Sequence, residues 1–94
     1  MNSILVVRMR TMQSMHELSI ALNIVEIAEE ELARHGGLRV SAIYLRVGSR
    51  ACVAKEALNF SFDLACEGTV AEGSRLIVED TDGLDLDVIR MEIE

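Results

Sequence analysis

The sequence predicts one α+β domain: a two-layer sandwich in which a sheet of about three strands carries two helices on one face, in the order α-β-α-β-β. Three observations predict it. Ninety-four residues, half of them apolar, provide for one core and not for two independently folded units. Two stretches repeat apolar residues at helical spacing, while three others alternate in polarity or are rich in β-branched residues. Each helical stripe needs a partner surface, and a sheet covered on one face by both helices buries the stripes in two layers.

The first fourteen residues, Met1 to Ser14, read as an N-terminal extension of a domain spanning residues 15–94, and are assigned no element. The opening MNSILVVRMR holds an apolar run of only four residues with its arginines after it, whereas a secretory signal places charge first and a longer apolar stretch behind. From Leu18 to about Arg34, an apolar stripe of Leu18, Ala21, Leu22, Val25, Ala28 and Leu32 is widened by Ile20, Ile24 and Ile27, with Glu26, Glu29, Glu30 and Arg34 largely outside it. Gly36-Gly37 ends this helix. Leu38 to Val47 alternates, with Ile43, Leu45 and Val47 on one face, and reads as a strand. A second helix is predicted from Ala54 or Lys55 to Cys66, on a stripe of Ala54, Ala57, Leu58, Ser61, Phe62 and Ala65, with Gly68 as its stop. Arg75 to Val78 is a short strand, Asp82-Gly83 a hairpin turn dipeptide, and Leu84 to Ile93 the strand that completes the hairpin. In that last strand Leu84, Leu86 and Val88 keep one phase and Ile89, Met91 and Ile93 the other, which predicts a bulge near Val88 and Ile89.

Composition narrows the function. Sixteen acidic against nine basic residues give a net charge of −7, which repels phosphate backbones and anionic membranes and favours cationic partners or metal ions. Only Tyr44, Phe60 and Phe62 are aromatic, so no stacking platform for bases is expected. No stretch is long enough to span a bilayer. Neither nucleic acid nor membrane is an expected partner, and cytoplasm is the expected location. Cys52 and Cys66 belong to no C-x-x-C pair and sit among apolar residues, so both are expected as buried, reduced thiols. The acidic run Glu79, Asp80, Asp82, Asp85 and Asp87 lacks the ligand spacing of a calcium loop and reads as a solvated turn. With no nucleophile and base pair, phosphate loop or paired acids in a cleft, the sequence does not read as an enzyme.

The two histidines bracket the first helix: His16 just before it and His35 at its end. Ser14-Met15-His16-Glu17 fits an S-x-x-E capping box, which gives Ser14 and Glu17 a purely structural reading. The order of residues supplies another. Met15-His16-Glu17-Leu18 leads into an amphipathic helix, and RVSAIYLRVGSRACVAKEALNFSFDLACEGTVAEGSRLIV, Arg39 to Val78, contains a strand, a Phe-x-Phe helix and a Gly-Thr-x-x-x-Gly turn. This segment resembles the HypA/HybF-type hydrogenase maturation factors, which are nickel metallochaperones. The resemblance covers Met15 to Val78 and resumes in the last strand.

The resemblance implies a protein that delivers Ni(II) for maturation of nickel-iron hydrogenase without catalysis. Its implied partners are a nickel-handling GTPase and the hydrogenase large-subunit precursor. It also implies nickel binding at Met15, His16 and Glu17: one imidazole and consecutive main-chain nitrogens supply the near-coplanar donors that Ni(II) accepts. This chain departs from the family in two places. Met1 to Ser14 precede the methionine with which the family's chains begin, so the terminal amine is a donor only if translation starts at Met15. Otherwise the amides of Ser14, Met15 and His16 must take its place. The family's two C-x-x-C pairs are also missing, since Val78 runs through residues 79–83 directly into Leu84, and no structural zinc is expected. The alternative function is a metal-free interaction module of the same fold that docks to maturation partners. A homodimer formed by exchange of the long C-terminal strand is compatible with either reading.

Overall fold

The structure, a computed structural model, describes residues 2–12 and 16–94, with the backbone alone at positions 8 and 9. Its elements are β1 (Ser3–Thr11), α1 (Glu17–His35), β2 (Val40–Gly48), α2 (Lys55–Cys66), β3 (Arg75–Thr81) and β4 (Leu86–Ile93). They form the expected α+β sandwich, but the sheet has four strands in the order β1-β4-β2-β3. The added strand is β1, drawn from the residues that were assigned no element. It pairs antiparallel with β4, from Ser3 opposite Ile93 to Thr11 opposite Asp87, and sends Val7 into the core.

Burial follows the alternation of the strands. Ile43, Leu45 and Val47 of β2, with Leu86, Val88, Met91 and Ile93 of β4, meet the helices in one apolar cluster. The opposite face is open. There the Tyr44 hydroxyl donates to Glu92 Oε2 at 2.5 Å, and the Arg90 guanidinium lies 4.8 Å from the centre of the Tyr44 ring while pairing with Glu79. The predicted bulge is present: Tyr44 faces Arg90 and Leu45 faces Val88, leaving Ile89 as the extra residue. This shift lets both halves of β4 point apolar residues at the helices.

Two expectations are corrected. The Asp82-Gly83 dipeptide does not close a hairpin between neighbours, because β2 lies between β3 and β4. β3 runs parallel to β2, as a crossover through α2 allows, and β4 runs antiparallel to β2 on its other side. Residues 82–85 therefore pass over the end of β2, where Gly48 N donates to Asp85 O at 2.7 Å and Arg50 N to Gly83 O at 2.6 Å. Gly48 permits this crossing, since a Cβ there would stand 2.6 Å from Gly83 C and 2.7 Å from Asp85 N. β4, the strand considered for exchange, is accordingly an interior strand.

The second correction concerns α1. Its buried side is Ile20, Ala21, Ile24, Val25, Ile27, Ala28, Glu31 and Leu32, whereas Leu18 and Leu22 are about half exposed. With both Ile and Leu in the helix, periodicity defined a wide stripe and left its centre undetermined. In α2, Leu58, Phe62 and Cys66 are buried, as the spacing predicts for the first two.

A candidate metal site at the head of the first helix

α1 begins at Glu17, so His16 is its N-cap residue. The His16 side chain makes no capping hydrogen bond and is exposed. The first intrahelical bond runs from Ile20 N to His16 O at 3.0 Å, so the amides of Glu17, Leu18 and Ser19 have no acceptor within the helix. An exposed imidazole and main-chain nitrogens thus stand together at one chain position. Met15, the remaining predicted member of the site, lies outside the described residues, as does Ser14.

Glu17 has a structural task. Its Oε2 accepts the Ala54 amide hydrogen at 3.1 Å, joining the head of α1 to the head of α2, where Ala54 is an N-cap residue without a capping side chain of its own. The Ala54 amide, then Glu17's own amide, hold its carboxyl below the ordinary carboxylate range, and the His16 charge acts in the same direction. The N-cap is His16, and Glu17, the first helical residue, reaches across to another helix; the Ser14 half of the predicted capping box lies outside the described residues. The sequence contains no local signal for this bond, whose partners are thirty-seven positions apart.

Ala54 also lines an open depression of about 720 Å³ together with Gly48, Cys52, Lys55, Asp80 and Asp82. Cys52 is exposed, contrary to expectation. It takes a left-handed φ of 57° in the turn after β2, which lifts its side chain out of the core. Cys66 is buried, and desolvation pushes its thiol up to about 11. The acidic run is less solvated than expected: Asp80 pairs with Lys55, Glu79 with Arg90, Thr81 Oγ1 donates to Asp85 at 2.8 Å, and Asp87 is buried. His35, the last residue of α1, is exposed with Nδ1 3.0 Å from Gly36 O. Nineteen residues of helix place it about 28 Å from the head. Among the described residues no three His, Cys, Asp or Glu side chains converge. Among the described residues, too, no helix is long and apolar enough to cross a membrane.

The fold has a counterpart among solved structures. It matches the solution structure of the Ni metallochaperone HypA from Helicobacter pylori with a TM-score of 0.65, over 71% of this chain and 58% of that one, at 19% identity. The family follows from the sequence: residues 15–84 match the family described as "Hydrogenase/urease nickel incorporation, metallochaperone, hypA", and the chain belongs to it. Hydrogenase maturation factor HypA of Chloroflexus aurantiacus is 53% identical over 66 residues, 70% of this chain and 58% of that protein. Hydrogenase maturation factor HybF of Salmonella typhimurium is 43% identical over 65 residues, 69% of this chain and 58% of its own length. The chain thus spans somewhat less than three fifths of these relatives, and β1 precedes the residues that match the family.

Proposed function

We propose that this chain is a non-catalytic nickel carrier of the cytoplasm that supplies Ni(II) for maturation of nickel-iron hydrogenase. It receives or passes on the ion in company with a nickel-handling GTPase and the hydrogenase large-subunit precursor. The observation that carries this reading is the exposed imidazole of His16, which makes no capping hydrogen bond, beside helix-head amides that lack helical acceptors. Nickel is cargo here, held by His16 and by backbone nitrogens from Met15 to Glu17. A cation is disfavoured by the positive end of a helix dipole. Deprotonated amides and the nearby Glu17 carboxylate offset that repulsion, and an exposed site on few residues releases its ion readily. No zinc is required, because the C-x-x-C pairs are absent and the two thiols occupy different environments.

The metal-free interaction module is favoured by one observation, the strand β1 ahead of Met15, which displaces the α-amine from the site whenever translation starts at Met1. Nickel titration separates the two readings. His16→Ala, at an exposed position, should bind nickel far more weakly than the wild type while keeping its circular dichroism and melting temperature, and His35→Ala should bind as the wild type does. Equal binding by His16→Ala and wild type would leave the interaction module as the function.

A further inference from the structure

We infer that the outer edge of β1 is a self-association surface, on which a second copy of this chain adds its own β1 in antiparallel register and makes one continuous eight-stranded sheet from two four-stranded ones. β1 is the outermost strand, so the main-chain groups on its far side face away from β4 and are available to a further strand. The protein treats its two edges differently. At the other edge, β3 carries Arg75, Glu79 and Asp80, and these pair with Glu92, Arg90 and Lys55, a charged border of the kind that deters strand addition. β1 has no such border in its first half: Ser3-Ile4-Leu5-Val6-Val7 is uncharged and free of proline. Ile4 is 58% and Val6 75% exposed on the open face of the sheet.

The segment is complementary to itself. An antiparallel pair centred on Leu5 sets Ile4 against the mate's Val6, Leu5 against Leu5 and Ser3 against Val7, so apolar residues meet across the strands. Arg8 then falls opposite Asn2, and no two arginines oppose each other; a pair centred on Val7 would instead place Ile4 and Val6 against Arg10 and Arg8. On the helix side, half-buried Leu5 borders a depression of about 230 Å³ lined by Glu31, Arg34 and His35, which the mate's Leu5 would cover. Such an interface is isologous and closes as a two-fold dimer. It lies on the strand that precedes the family's matched residues, so it belongs to this chain's own extension.

Sedimentation of the full chain from micromolar to millimolar protein should show monomer giving way to dimer, with nothing larger. Val6→Lys and Ile4→Lys place a charge at exposed positions and should hold the chain monomeric throughout, with unchanged circular dichroism, whereas Leu84→Lys, also at an exposed site but away from β1, should dimerise as the wild type does. A wild type that stays monomeric across the range, or a dimer that survives Val6→Lys, overturns the assignment.

Discussion

Glu17 holds the heads of the two helices together by accepting the Ala54 amide hydrogen 3.1 Å away. The residue beside the proposed nickel donor is therefore a tether in the free protein. In the proposed site the His16 imidazole and main-chain nitrogens are the ligands, while Glu17 fixes where that backbone stands and adds a negative charge near it.

This tether has a pH signature. The folded carboxyl is held below its ordinary value by the Ala54 amide first and its own amide second. A depressed folded pKa means that the stabilisation is present above the unfolded value and is lost as pH falls through the folded one. The melting temperature of the wild type should exceed that of Glu17→Gln by a constant margin near neutrality. The margin should begin to close below pH 4.5, the ordinary value, and vanish in stronger acid. A margin independent of pH would mean that the charge of Glu17 is not engaged with α2.

Core substitutions should separate the inner from the outer side of α1. Phe62 is 1% and Ile24 0% exposed, and Leu22 54%. Truncating Phe62 or Ile24 to alanine should cost on the order of 3 kcal/mol in chemical denaturation, and Leu22→Ala under about 1 kcal/mol. A large loss at Leu22 would place that side chain against something other than solvent.

The difference between these two leucine-rich and isoleucine-rich sides marks how far the sequence could be read. Both helices, the strand at Leu45 and the bulge at Ile89 were legible because period and phase are local properties of the chain. The position of β2 between β3 and β4 was not, since Asp82-Gly83 describes a turn and says nothing of which strand lies beneath it. β1 was missed because an edge strand of mixed polarity next to a family start point has no periodic partner in its own neighbourhood. The place of His16 just before a helix was legible, whereas its proposed nickel role came from the family resemblance and not from that place. The role of Glu17 depends on Ala54, far off in sequence, and that of Cys52 on a left-handed turn at a residue type with no preference for it.

The crossing at Gly48 makes a sharp prediction. A Cβ there meets main-chain atoms of Gly83 and Asp85 inside 3 Å, and backbone cannot rotate away as a side chain does. Gly48→Ala should cost about 3 kcal/mol or more, at the upper end for overpacking. Gly68→Ala, with a positive φ of 74° but open space around it, should cost only about 1 kcal/mol. Equal melting temperatures for the two variants would show that residues 82–85 do not press on β2.

Thiol chemistry should distinguish the two cysteines. Cys52 is exposed and should be alkylated by iodoacetamide in the native protein. Burial, assisted by the charge of Asp63, pushes Cys66 up to about 11, so it stays protonated and shielded at pH 8. Mass spectrometry should therefore find one label on the folded chain and two in denaturant. Because the C-x-x-C pairs are missing from this sequence, elemental analysis of protein purified without added metal should find far less than one zinc per chain.

The last prediction concerns the start of the chain. A protein beginning at Met15 offers nickel an α-amine, the His16 imidazole and main-chain nitrogens, whereas one beginning at Met1 must replace the amine with a further amide. Each amide donor gives up a proton on binding, and below about pH 8 the α-ammonium gives up one as well, so affinity should rise with pH in both forms and only above that pH more steeply in the longer one. Removing residues 1–14 also strips β1 from the edge of β4 and exposes core side chains that Val7 and Met12 now cover, so stability should fall even as nickel affinity near neutral pH rises. Calorimetric titration of both forms across pH, alongside their melting curves, reads the two effects separately. Equal slopes above about pH 9, where the α-amine is already free of its proton, would exclude amide nitrogens as the donors that replace the amine.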